Sequence, residues 1–249
     1  CPRMYWLSRQ RLPRKAGMAA SLGTAVHASI EDLLLNDYSN IGNQQDNWLP
    51  EEAIRVLKLR WEEEKEVFMN TPRRPKWKEE KWKEAVKQQR GGVIMLLDHV
   101  GIQGLDHKRI TGALWRKIQK HAIAVEGELK TKDGRLMGRL DLLLADVNEA
   151  GEMTGWLVAD LKTGRTPDKK LKTEVNRQLR LYRDILLDNN PNAPKVRTEG
   201  WYTQNSSKWP AIGENVLQQA YAAWQETQPT KIPMNPTPGQ DSCGGFCDW

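Results

Sequence analysis

Cysteine, phenylalanine and long apolar runs are all scarce in this chain. Three cysteines in 249 residues, one at position 1 and two near the end, are too few and too unevenly placed for a disulfide-built scaffold. No apolar run is long enough to cross a bilayer, so no membrane-spanning helix and no membrane partner is expected. The opening residues, CPRMYWLSRQRLPRK, lack the apolar stretch of a secretory signal. An intracellular protein is therefore expected. The same stretch lacks an initiator methionine, so Cys1 is not expected to be the native first residue and the chain reads as a trimmed fragment. It also lacks acids entirely while holding Arg3, Arg9, Arg11, Arg14 and Lys15.

What is present is positive charge and tryptophan. The formal charge is +6 and the pI near 9.2, a balance that favours a polyanionic partner without fixing a fold. Eleven tryptophans stand against two phenylalanines. The length suits one large domain, or a core domain with a sizeable insertion.

Residues 16–38 carry small residues and an apolar stripe, Leu22, Val26, Ile30, Leu33 and Leu34, that predicts a helix. His27 lies on it, one turn after Gly23. Residues 51–69 and 76–97 read as two strongly charged helices broken by Thr71-Pro72-Arg73-Arg74-Pro75. In the second, Trp77 and Trp82 are interleaved with Lys76, Lys78, Lys81, Lys83, Lys87 and Arg90. That pattern suits a single nucleic-acid strand, with bases on the rings and phosphates on the charges. It suits equally an amphipathic helix with packed tryptophans and solvated charges. Further helix is expected over 98–119, with Trp115 and Ile118 inward.

From His121 the period shortens. HAIAVEGELK predicts a strand with Glu126 and Glu128 on one face, and Asp133-Gly134 a turn. Residues 138–164, GRLDLLLADVNEAGEMTGWLVADLKTG, then read as two strands around a polar turn. Alternation points Asp160 and Lys162 one way, and Leu157, Ala159 and Leu161 the other. By the same rule Asp141 faces away from Leu140, Leu142 and Leu144. Carboxylates set among leucines must be paired, ligated or exposed in a cleft. A basic helix is expected over 168–188, with Gln178 and Tyr182 stacked four residues apart. A short strand over 195–204, a helix over 215–227 and an arm with four prolines complete the order.

Two acids and a lysine at one hairpin edge are the inventory that phosphodiester cleavage needs. Carboxylates hold a hard divalent cation, and a fixed ammonium stabilises developing negative charge. The Leu161 carbonyl, between Asp160 and Lys162, is a further candidate oxygen ligand. Taken in order, Gly23-Thr-Ala-Val-His27, Gly138-Arg-Leu-Asp141, Asp160-Leu-Lys162-Thr-Gly164 and Gln178-Leu-Arg-Leu-Tyr182 resemble the PD-(D/E)XK nuclease superfamily, in its RecB-like branch. The branch pattern is G-x-x-x-H, G-x-x-D, D-x-K-T-G and Q-x-x-x-Y. The resemblance covers about residues 16–35 and 121–205.

It implies an α/β, restriction-endonuclease-like core of helix, three-strand meander, helix and strand, with a large helical insertion. Residues 1–44 would hold the N-terminal part of the nuclease domain, 45–120 the insertion, 121–228 the core, and 229–249 a proline-rich arm with the C-terminal cysteines. Asp141, Asp160 and Lys162 would be catalytic. His27, Asp141, Asp160 and the Leu161 carbonyl would hold Mg²⁺ or Mn²⁺, and Gln178 and Tyr182 would contact DNA or steady the site. Glu126 falls where the branch often has an acid on its first strand. Cys1, Cys243 and Cys247 resemble the iron–sulfur staple of the AddB nuclease domain and of CRISPR-associated RecB-like exonucleases. A [4Fe–4S] cluster takes four thiolates, and the fourth would lie past Trp249. Zinc and unligated thiols are the alternatives.

The implied function is a metal-dependent deoxyribonuclease, an exonuclease on single-stranded ends, serving DNA repair, recombination or CRISPR adaptation. Helicase or CRISPR adaptation partners, and a cytoplasmic or nucleoid-associated location, go with it. The alternatives are a catalytically degenerate DNA-binding subunit of such a complex and an RNA-directed enzyme.

Overall fold

The computed structural model describes residues 6–7, 9–10, 16–41, 47–102, 109–148, 150 and 152–226. Its centre is a five-stranded sheet in which sequence order is spatial order. β1 (Ala122–Lys130), β2 (Met137–Val147) and β3 (Met153–Lys162) form an antiparallel meander. A crossover through helix α5 (Thr173–Asn189) returns the chain to β4 (Lys195–Tyr202), parallel to β3. β5 (Ser207–Pro210) then pairs antiparallel with β4.

Before the sheet come α1 (Met18–Leu35), α2 (Trp48–Asn70), α3 (Trp82–His99) and α4 (Gly112–His121). α6 (Leu217–Glu226) follows it. This mixed α/β architecture agrees with the expected restriction-endonuclease-like core.

The two faces of the sheet are buried by different helices. Leu142, Leu144, Leu157, Ala159, Leu161 and Trp201 pack into one cluster with the apolar stripe of α1 and with residues of α2, α3 and α4. Val158, Leu140, Leu143 and Tyr202 join Leu171, Leu179, Tyr182 and Ile185 on the α5 side. A strand buried on both faces reads as a continuous apolar run, which is why 155–161 is so rich in apolar residues. Residues 45–120 thus contribute to the core beneath the sheet. α3 docks closely because a Cβ on Gly91 would lie 1.9 Å from the Thr203 carbonyl oxygen, and one on Gly92 2.4 Å from Ile30.

Several local expectations change. The α5 helix starts at Thr173, since Pro167 and the turns after it keep 165–172 out of helix while Leu171 packs into the core. Trp77 is buried and meets Trp61 and Phe68 edge to face, with ring centroids 4.9 and 5.1 Å apart. Trp82 meets Trp61 in the same way. These rings are core, so the packed-tryptophan alternative holds for this segment.

Candidate active site

The meander changes parity at its functional end. Leu140 packs on the α5 side while Leu142 and Leu144 pack on the α1 side, so the simple alternation expected around Asp141 does not hold. Opposite, Val125 pairs with Leu142 and Gly127 with Leu140, which sets Glu126 across from Asp141. Glu126 has φ 50°, a left-handed conformation costly for a side-chain-bearing residue and typical of functional positions. The β2–β3 register ends at Leu142 and Ala159. Beyond it the Leu161 N–H donates to Asp141 Oδ2 at 2.6 Å instead of to a strand carbonyl. The strands part there, and the carboxylate fills the gap.

Helix α1, the three strands of the meander and α5 all bring side chains to this gap. His27 reaches in from α1, its Nδ1 3.6 Å from Asp141 Oδ2. Ligand atoms of His27, Glu126 and Asp141 all lie within 4.8 Å of one another, close enough to share one ion. Asp160 stands beside that trio, its buried Oδ2 held by Lys162 Nζ at 2.5 Å. Arg139, exposed next to Asp141, pairs with Glu126 Oε2 at 2.6 Å. On α5, Gln178 donates to the Tyr182 hydroxyl at 2.7 Å.

The motif glycines mark close approaches. A Cβ on Gly23 would meet Thr163 Oγ1 at 2.8 Å, and one on Gly138 would meet the Tyr182 ring at 2.6 Å. Gly23 thus seats α1 on the turn after Lys162, and Gly138 seats Tyr182 against β2.

Burial sets the electrostatics. It pushes the Asp141 carboxyl up to about 7, with the nearby Asp160 charge adding to the effect. Burial and then Asp141 raise Glu126 as well. His27 is held below its usual value, burial outweighing Asp160 and Glu126, so the ring is neutral near pH 7 and offers a lone pair. Burial opposes the Lys162 ammonium, but Asp160 beside it prevails and keeps that lysine firmly protonated. The cleft therefore gathers more acid than it can ionise alone. A neutral imidazole and two acids with raised proton affinity, their ligand atoms within 4.8 Å of one another, form a donor set that fits a divalent cation.

Of the residues expected from sequence, His27, Asp141, Asp160, Leu161 and Lys162 meet here. Gln178 and Tyr182 border them across Gly138, and electrostatic influence of Asp160 and Asp141 reaches Tyr182. Cys1, Cys243 and Cys247 lie outside the described residues.

Sequence reasoning did not single out Arg139, Tyr202 or Gln88. Tyr202 pairs with Lys162 across β3–β4, and its hydroxyl is raised by burial. Gln88, fully buried on α3, donates to the Thr163 carbonyl at 3.1 Å and accepts from Thr203 Oγ1 at 2.6 Å. No periodic signal distinguishes that glutamine from its neighbours.

A search of curated proteins finds no match to this chain. The sequence pattern of the PD-(D/E)XK nuclease superfamily, by contrast, matches residues 1–249. With that match, the chain belongs to the PD-(D/E)XK nuclease superfamily.

Proposed function

We propose that this nuclease is a divalent-metal-dependent deoxyribonuclease that degrades single-stranded DNA from its ends. The observation that carries the reading is the meeting of His27, Glu126, Asp141, Asp160 and Lys162 where β2 and β3 part. His27, Glu126 and Asp141 would hold Mg²⁺ or Mn²⁺, with Asp160 and the Leu161 carbonyl adjoining. The chemistry supplied there is activation of an attacking water and neutralisation of charge on the scissile phosphate.

The chain's own residues do the rest. Asp160 keeps Lys162 charged, and the ammonium faces the phosphate to stabilise negative charge as the P–O bond to the leaving oxygen breaks. The Leu161 N–H fixes Asp141, and Arg139 fixes Glu126, so neither carboxylate must be ordered when substrate arrives. Gln178 and Tyr182 position the strand. Specificity for single-stranded ends and service in repair, recombination or CRISPR adaptation rest on the resemblance to the RecB-like branch. So does a [4Fe–4S] cluster on Cys1, Cys243 and Cys247, which would tie the two ends of the chain together.

One experiment addresses these points together. Protein purified without oxygen is assayed for iron and sulfide, then given labelled linear and circular single-stranded DNA, duplex DNA and RNA with Mg²⁺, Mn²⁺ or EDTA. Brown protein that shortens linear single strands, spares circles and stops in EDTA is expected. Colourless, iron-free protein removes the cluster. Failure to cut any substrate removes the enzyme reading and favours a DNA-binding subunit.

A further inference from the structure

α3 carries three cations that have no ion pair among the described residues. Lys83, Lys87 and Arg90 recur at steps of four and three residues, so they share one helix face over about 10 Å of rise, and all three are exposed. Elsewhere in this charged segment four cations meet acids, Arg55 with Glu52, Arg60 with Asp32, Lys65 with Glu79 and Lys81 with Glu84, while Lys58, Arg73, Lys76 and Lys78 are exposed without ion pairs among the described residues but do not line up on one helix face. Among the described residues no carboxylate pairs with Lys83, Lys87 or Arg90, though Glu84 stands next to Lys83 in sequence and is held by Lys81. Like charges one turn apart repel, and a polyanion lying over them would relieve that repulsion.

Their place in the fold matters more than their number. Gln88, beside Lys87, is bonded to Thr163 and Thr203, and Ser206 Oγ donates to the Gly91 carbonyl. The first half of α3 is thereby fastened to the carboxyl ends of β3 and β4, the edge at which Lys162 sits. On the other face of the sheet the same edge carries Lys169, Lys170 and Lys172, exposed and without ion pairs among the described residues. Of the acids nearest in sequence, Asp168 is matched by Arg165 at 3.5 Å, and Glu174 opens α5 without an ion pair to these lysines among the described residues. Two groups of exposed cations, without ion pairs among the described residues, thus lie on the two elements joined to the end of β3.

We infer that this band is the track for the sugar–phosphate backbone of the DNA flanking the cut. The α3 cations would hold phosphates on one side of Lys162 and the loop lysines those on the other. The inference rests on the nuclease reading only for the identity of its occupant. Such contacts carry no base information, so the track sets affinity and KM rather than sequence preference.

The test compares two triple variants of equal charge loss. One is Lys83→Ala, Lys87→Ala, Arg90→Ala. The other, Lys117→Ala, Lys120→Ala, Lys195→Ala, removes exposed cations at the opposite end of the sheet. Binding of a labelled single-stranded oligonucleotide is followed in EDTA across a salt series, and steady-state cleavage with Mn²⁺, after both variants are checked for wild-type melting. The α3 variant should bind at least about tenfold more weakly. Its log–log salt slope should be shallower by about 2, three contacts at about 0.7 each. KM should rise with kcat unchanged, and the far-end variant should match wild type. Equal losses in both variants, or no change in the α3 variant, overturn the track. Wild-type protein that binds in this way but cuts nothing leaves the track standing and sinks the nuclease reading alone.

Discussion

Asp141 shows how a single residue can be both structural and chemical. Its Oδ2 accepts the Leu161 N–H that the parting ladder would otherwise orphan, yet burial raises its proton affinity to about 7. An acid whose folded pKa exceeds its unfolded value binds more protons when folded. Stability of the metal-free protein should therefore fall as pH rises through that value. Glu126 acts with the same sign, while His27, held low, acts oppositely below its ordinary 6.5. The decline should thus run from about pH 4 to about pH 7 and level off above it, with a slope of up to about 1.4 kcal/mol per pH unit for one proton, His27 offsetting part of it below 6.5. Urea titrations in EDTA should show this decline, Mn²⁺ should abolish it, and Asp141→Asn should lessen it to the part that Glu126 carries. A flat profile in EDTA would mean that these acids are ionised without an ion.

Among the elements, α3 illustrates a contact that composition hides. Gly91 faces the Thr203 carbonyl so closely that any side chain must push the helix from β4. The movement would also break the Gln88 bonds to Thr163 and Thr203 next to Lys162. Gly91→Ala should therefore cost about 1–3 kcal/mol in denaturant titration, despite alanine's better helix propensity, and lower activity of the folded fraction. A neutral or stabilising outcome would show that α3 docks differently.

The same helix marks the border of what was legible. The meander and α5 announce themselves through alternation, an Asp-Gly turn and a basic amphipathic stretch. β5 does not, because four residues paired only with β4 leave too short a period to detect. Nor does the parity change at Glu126, whose positive φ is imposed by tertiary packing rather than by a glycine. The Trp77 environment was undecidable from sequence, since basic neighbours accompany both a stacking platform and a packed helix.

At the scale of the whole molecule the sheet is polarised. Its far end is closed by a structural network: Arg197 donates twice to Asp146, and His99 contacts the Ala145 carbonyl at 3.0 Å. The end where β3 finishes holds the partly unmatched groups: two acids of raised proton affinity, and the exposed cations of α3 and the β3–α5 loop that have no ion pair among the described residues. Conserving charge balance at one end and leaving it incomplete at the other is how a stable fold presents a site to a charged ligand. The four motifs were readable because each lies on a regular element. How their side chains meet was not, because that depends on the parting of β2 from β3.

The central claim is that Asp160 and Lys162 act on the phosphate. Single-turnover cleavage of linear single-stranded DNA with Mn²⁺ tests it most directly, comparing wild type with Asp160→Ala and Lys162→Ala. Each variant should lose on the order of 10²–10³-fold or more in rate while still binding DNA. Cleavage at the wild-type rate by both would contradict the assignment.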